Sequence, residues 1–283
     1  MKKILFIMIG SCFIVLISCA SEKEEKAEKI TFYSDILRKE MILQVYIPPG
    51  YSGDDKYPVL YFIADYGGSA YTVVNEYSIT EKADALISNE EISPLIIVGV
   101  NIDKSFGINS SAYVGSFVTE SGKVFNNGMY EDYFCNEIIP LIDSRYSTVT
   151  LKEGRYIGGY SMGGYAALHI AFKNPGMFSK VGAHSPSLFI DKFTDKTVSD
   201  WLYPTLEIRK QRDPIYLAQS EDISDLSIFL DVEIGGSTGV KYLHDILLEK
   251  NIDSTFMELG YSHGRLTCSE NMDTYLSFYA GMN

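Results

Sequence analysis

The sequence predicts an α/β fold, with a mostly parallel central sheet and helices on both faces. Three observations predict it. Continuous apolar runs, PVLYFIA at 58–64 and PLIIVGV at 94–100, have the pattern of strands buried on both faces. They alternate along the chain with amphipathic stretches of helical length. The stretch RYIGGYSMGGYAALHIA at 155–171 passes from an apolar strand, through a serine flanked by glycines, into a helix.

Composition narrows the partners before any element is placed. The chain has 283 residues, 46% of them apolar, which suits one large domain with a sizeable core. Its formal charge is −13, which argues against nucleic acid or an anionic lipid surface as a partner. There is no CxxC and no HExxH, and only four histidines, so no metal signature is visible and no cofactor is expected.

From the N-terminus, Lys2 and Lys3 precede an apolar stretch at 4–16, and LISC at 16–19 closes it. Positive n-region, apolar h-region and small-residue site make residues 1–19 a signal peptide. LISC resembles a bacterial lipobox, with Cys19 as the lipid-modified residue; an ordinary secretory signal or an uncleaved anchor is the alternative. Residues 20–29, ASEKEEKAEK, read as a charged tether, and 30–283 as the folded domain. The expected location is the bacterial cell envelope, with membrane contact through the lipid alone. The absence of Asp after Cys19 favours an outer membrane by analogy with lipoprotein sorting.

Along the domain, 40–47 alternates apolar residues and reads as a strand ended by Pro48-Pro49-Gly50. The strand at 58–64 runs into Asp65-Tyr66-Gly67-Gly68-Ser69, where flexible glycines let backbone N–H groups point into a cleft. A helix is expected over 78–89, and a strand over 94–100. Residues 101–128, rich in Gly, Ser and Asn, read as a long loop. A helix follows over 130–146, with Pro140 placed to kink it. After the helix that begins near 162, Pro175 is a stop and 180–183 a short strand leading to His184. Residues 188–226, with the single Trp201, suggest an irregular or helical cap. Strands at 227–232 and 254–259 bracket a helix over 240–250, and a last helix covers 272–280.

The chemistry concentrates at 159–163, G-Y-S-M-G. Strand, sharp turn and helix form the nucleophile elbow of the α/β-hydrolase fold, which lifts the Ser161 hydroxyl clear of the sheet. A side chain at 159 or 163 would collide with the neighbouring strand or helix, so both are Gly. The Met162 N–H, opening the helix, and the Tyr66 N–H are the candidate oxyanion donors. A serine hydroxyl needs a base within hydrogen-bond reach, and His263 follows the last strand in a Gly-flanked loop. His169 and His244 fall inside expected helices; His184 either lines the cleft or packs. The acid that orients His263 is Glu233 or Asp231. Glu233 falls nearer the strand's carboxyl end, whereas Asp231 can simply end the strand. Whether Cys135 and Cys268 pair is left open.

These residues resemble the Putative esterase family of α/β-hydrolases, which includes esterase D, enterochelin esterases, feruloyl esterases and mycolyltransferases. The resemblance covers roughly 35–280. It rests on GYSMGGYAAL at 159–168, YEDY with EIIPLID within 130–143, and FSKVGAHS at 178–185. The family's usual H-G-x-G-G reads Ala64-Asp65-Tyr66-Gly67-Gly68 here, which puts Tyr66 at the oxyanion position. Its acid segment is shortened to Glu233-Ile234-Gly235-Gly236, and its G-x-H is only loosely kept as Tyr261-Ser262-His263. The resemblance implies a serine esterase acting on a small-molecule or glycan-linked ester. Acyl transfer to a sugar or alcohol is one alternative, and a non-catalytic binding protein on the same scaffold another.

Overall fold

The computed structural model describes residues 27–190, 195–260 and 262–282. The expected signal segment with Cys19, and residues 20–26 of the expected tether, lie outside them. In chain order the elements begin with β1 (Ala27–Ser34), β2 (Lys39–Tyr46), β3 (Val59–Ile63), a π-turn at Thr72–Glu76, α1 (Ile79–Ser88) and β4 (Ile96–Val100). A hairpin follows, β5 (Gly115–Val118) and β6 (Val124–Asn127), then α2 (Tyr130–Tyr133) and α3 (Ile139–Arg145). Next come β7 (Arg155–Tyr160), α4 (Met162–Lys173) and β8 (Lys180–His184). Three short helices, α5 (Lys196–Leu202), α6 (Leu206–Arg212) and α7 (Pro214–Ser220), precede β9 (Ser227–Glu233) and α8 (Thr238–Glu249). The chain closes with β10 (Ser254–Leu259), α9 (Arg265–Glu270) and α10 (Met272–Ala280).

Eight strands form one sheet in the order β1-β2-β4-β3-β7-β8-β9-β10. β1 and β2 pair antiparallel, as do β2 and β4; all later neighbours are parallel. The apolar runs are buried on both faces, as their sequences require. Val59, Tyr61 and Ile63 of β3 belong to the buried cluster that also holds residues of α3, α4 and α8, while Leu60 and Phe62 belong to the one on the other face with residues of α1 and α10. The carboxyl ends of β3, β7, β8 and β9 are thereby fixed side by side, with Ile63 level with Gly159 and Tyr160 level with His184.

The structure corrects some sequence expectations and refines others. Residues 27–29, assigned to the tether, begin β1: Ala27 and Ile30 are buried while Glu28 and Lys29 face solvent. Charged residues are tolerated on the open face of an edge strand and blunt its pairing with other chains. The loop at 101–128 contains the β5–β6 hairpin, whose four-residue strands are too short to show an alternation. The helix over 130–146 is present but interrupted by a π-turn at Phe134–Ile138, in which the Ile139 N–H bonds to Phe134 O. Pro140 has no N–H to give to an α-helical ladder, so the turn before it widens instead. The cap over 188–226 resolves into α5, α6 and α7, tied to the hairpin by Trp201 Nε1 donating to Asn127 Oδ1 at 2.8 Å. Cys135 and Cys268 are both free. Among the described residues, no helix is long and apolar enough to cross a membrane.

Candidate active site

The elbow follows from local sterics. Ser161 joins β7 to α4 at φ 56° and ψ −116°, in the left-handed half of backbone space that non-glycine residues seldom occupy. The close approach around it is backbone on backbone. A Cβ on Gly163 would lie 2.2 Å from Ile63 O, and one on Gly159 would lie 2.4 Å from Gly163 O. The Ser161 N–H donates to His184 O at 2.8 Å, and its C=O accepts from Ser187 N at 3.0 Å. Strand β8 and the loop after it therefore hold the strained residue from both sides.

The structure brings Ser161, His263 and Glu233 into one hydrogen-bonded row. His263 Nε2 lies 2.9 Å from Ser161 Oγ, and His263 Nδ1 lies 2.9 Å from Glu233 Oε1. A carboxylate can only accept, so Nδ1 carries the proton and Nε2 offers its lone pair to the serine hydroxyl. The Glu233 side chain is 8% exposed and that of His263 52%, so the row runs from the protein interior to an open ring. Burial pushes the Glu233 carboxyl up, but hydrogen bonds from His263 and the Ser185 hydroxyl outweigh it and hold it at about 2. It is an anion throughout the neutral range.

Asp231, the other acid candidate, points elsewhere. Its Oδ2 lies 2.7 Å from His184 Nδ1, and its Oδ1 accepts from Ser185 N at 3.0 Å. His184 and Asp231 are both fully buried, and His184 stacks on Tyr275 with centroids 3.5 Å apart. His184 is thus a packed, hydrogen-bonded residue and does not line the cleft. His169 and His244 lie in α4 and α8, away from Ser161, where His169 meets Glu131 and His244 meets Ser254.

The two expected oxyanion donors sit where strand ends meet helix start. Met162 is the first residue of α4, whose first turn cannot use its N–H groups within the helix. Tyr66 occupies the second position of a turn closed by Gly68 N to Asp65 O at 3.0 Å, with Gly67 at φ +79° supplying the left-handed corner. The Tyr66 N–H is not used in closing that turn. The Tyr66 hydroxyl anchors the hairpin, donating to Val124 O at 3.0 Å and accepting from Val124 N at 3.1 Å.

Two further groups at the site escaped sequence reasoning. Arg265, two residues past His263, bridges Asp65 at 3.1 Å and Glu76 at 2.6 Å, joining the histidine loop to the turn that carries Tyr66. Tyr160 touches Glu233, His263 and Gly264 together. Only its position beside Ser161 could have drawn attention to it. Among the described residues, no group of His, Cys, Asp and Glu is arranged to hold a metal ion.

Comparison with known proteins agrees with this frame. The family model described as "Putative esterase" matches residues 34–246. "Uncharacterized protein YjcH" of Bacillus subtilis is 28% identical over 207 residues, covering 73% of this chain and 72% of that one. An "Endo-1,4-beta-xylanase/feruloyl esterase" of Xylanibacter ruminicola is 29% identical over 175 residues, 58% of this chain and 22% of that longer protein. Among solved structures, a "ferulic acid esterase" superposes with a TM-score of 0.74 at 18% identity, covering 90% of this chain and 97% of that one. With the matched model spanning most of the domain and the strand order already on the page, the chain belongs to the Putative esterase family of α/β-hydrolases and is a serine esterase-type hydrolase.

Proposed function

We propose that the protein hydrolyses carboxylic esters through an acyl-enzyme on Ser161. The observation that carries this reading is the unbroken row Glu233–His263–Ser161, with 2.9 Å at each step. Ser161 Oγ attacks the ester carbonyl as His263 Nε2 takes its proton, and Glu233 stabilises the imidazolium that forms. The N–H groups of Tyr66 and Met162 hold the oxyanion; one such donor typically contributes about 3 kcal/mol to the transition state. His263 then returns the proton to the leaving alcohol, and water clears the acyl group by the same steps in reverse. Release to a sugar or other alcohol in place of water would make the enzyme an acyltransferase. A non-catalytic role drew its support from the unassigned acid, and a buried carboxylate beside His263 removes that support.

A fluorophosphonate probe tests the nucleophile. The wild-type protein should label, and Ser161→Ala should not, while its ester turnover falls at least about 10³-fold. Near-native turnover in that variant would sink the assignment. The named relatives make feruloyl esters a rational part of a substrate panel that also holds acetyl and longer acyl esters; appearance of a transacylated alcohol in the same assays identifies the transferase alternative.

The proposal extends to location: LISC at 16–19 makes Cys19 the lipid-bearing residue and the cell envelope the site of action. Stable anchoring takes two or more acyl chains. Cys19→Ser should move the protein from the membrane pellet to the soluble fraction. A variant that stays in the pellet would assign residues 4–16 as an uncleaved anchor.

A further inference from the structure

Tyr160 is the first x of the G-x-S-x-G pattern and the last residue of β7. Its ring is 1% exposed and lies on the sheet face covered by α1 and α10, opposite the face that α4 packs against. Three contacts converge on it. Its hydroxyl donates to Glu233 Oε1 at 3.0 Å, the oxygen that also faces His263 Nδ1. The same hydroxyl oxygen accepts the Gly264 N–H at 2.8 Å. Its ring stacks on the His263 imidazole, with centroids 5.1 Å apart and planes 24° from parallel.

Resting on the triad reading above, we propose that Tyr160 is a positioning residue of the active site, locking the Glu233 carboxylate and the His263 loop to the strand that carries Ser161. A glutamate has one more rotatable bond than an aspartate, and that freedom must be removed for its carboxylate to stay on Nδ1. The Tyr160 hydroxyl removes it from below, while the Gly264 bond stops the histidine loop from sliding past the ring. Because Tyr160 directly precedes Ser161, nucleophile, base and acid share one rigid reference. Burial pushes the phenol far above neutral pH, so it remains a donor wherever the enzyme works.

The test is a cycle of Tyr160→Phe, Glu233→Gln and the double variant, assayed for kcat and KM. Turnover is expressed per site titrated with a fluorophosphonate, so that a lower yield of folded protein does not enter. Tyr160→Phe keeps the ring and its packing. It should lower kcat by about tenfold or more with KM within about twofold, the loss of one hydrogen bond to a charged group. Its effect should largely vanish in the Glu233→Gln background, because it acts through that carboxylate. The downfield proton resonance of the His263–Glu233 hydrogen bond should shift or broaden in Tyr160→Phe. Turnover within threefold of wild type, or losses that simply multiply in the double variant, would overturn the proposal. If Glu233→Gln collapses turnover while Tyr160→Phe does not, the triad reading survives and only the tyrosine fails. If Glu233→Gln is itself silent, the triad reading fails first.

Discussion

A carboxylate at the last residue of a strand can reach into the loop beyond it, whereas one buried two residues earlier must find its partner inside the fold. Glu233 and Asp231 occupy these two positions on β9, on the same face, which is why the sequence left both open. Their partners separate them: Glu233 meets His263, and Asp231 meets His184 and Ser185. Glu233→Gln should lower turnover by up to about 10⁴-fold, the effect of the equivalent change in a well-studied serine protease. Asp231→Asn should act on stability instead. Both Asp231 oxygens accept from donors, and an amide can serve only one of them, so a loss of about 1–3 kcal/mol in urea unfolding is expected, with turnover within about tenfold of wild type. If Asp231→Asn costs more turnover than Glu233→Gln, the acid is Asp231. Ser161 and its glycines were legible because a strained backbone selects residue types at fixed spacing. Tyr160 was not, because its contacts join it to residues 73 and 104 positions away.

Elements were legible in proportion to how completely they are buried. β3 and β4, covered on both faces, were located to within two residues from their apolar runs alone. β1 was missed because half its side chains face solvent and it opens with the charged pair Glu28 and Lys29, which continues the charged run before it. The β5–β6 hairpin was missed because it is stabilised from outside: Phe117 and Phe125 each pack on Trp201, which belongs to the cap some 75 residues away, and Tyr66 holds Val124. Hairpin and cap thus form one assembly over the carboxyl edge of the sheet. The junction of β3, β7 and α4 is the rigid part beneath it, and it makes a sharp prediction. In Gly163→Ala the new methyl would meet Ile63 O at 2.2 Å and Ala64 O at 2.6 Å, and neither carbonyl can swing away without breaking the strand end. A stability loss of at least about 1–3 kcal/mol is expected, together with lower turnover as Met162 and Tyr66 are pushed apart. A variant with unchanged urea midpoint and turnover would show that the helix can retreat from β3 freely.

At the scale of the whole molecule, buried carboxylates paired with partners on other elements contribute to the response to acid. Glu131 of α2 receives His169 Nε2 at 3.2 Å and Lys173 Nζ at 3.0 Å, both from α4, the helix that follows Ser161. Burial pushes its carboxyl up, yet the hydrogen bond and charge of His169, then those of Lys173, outweigh this and hold it at about 2. Glu233 is depressed to about 2 in the same sense. A carboxyl whose folded value lies below its unfolded value of about 4.3 stabilises the fold above that value, and the contribution is lost as pH falls towards the folded value. For Glu131 the full contribution is on the order of 3 kcal/mol, present near neutrality and lost between about pH 5 and pH 2. Removing the carboxylate should therefore change the slope of stability against pH as well as its height. Glu131→Gln should be less stable than wild type at pH 7, and the gap should narrow by about half as the pH is lowered to 3, as followed by urea unfolding at pH 7, 5 and 3. Self-repulsion from the chain's other charges acts on both proteins alike, so the difference between the two curves isolates this one group. Curves that run parallel from pH 7 to pH 3 would mean that the α2–α4 contact carries no proton-linked stability.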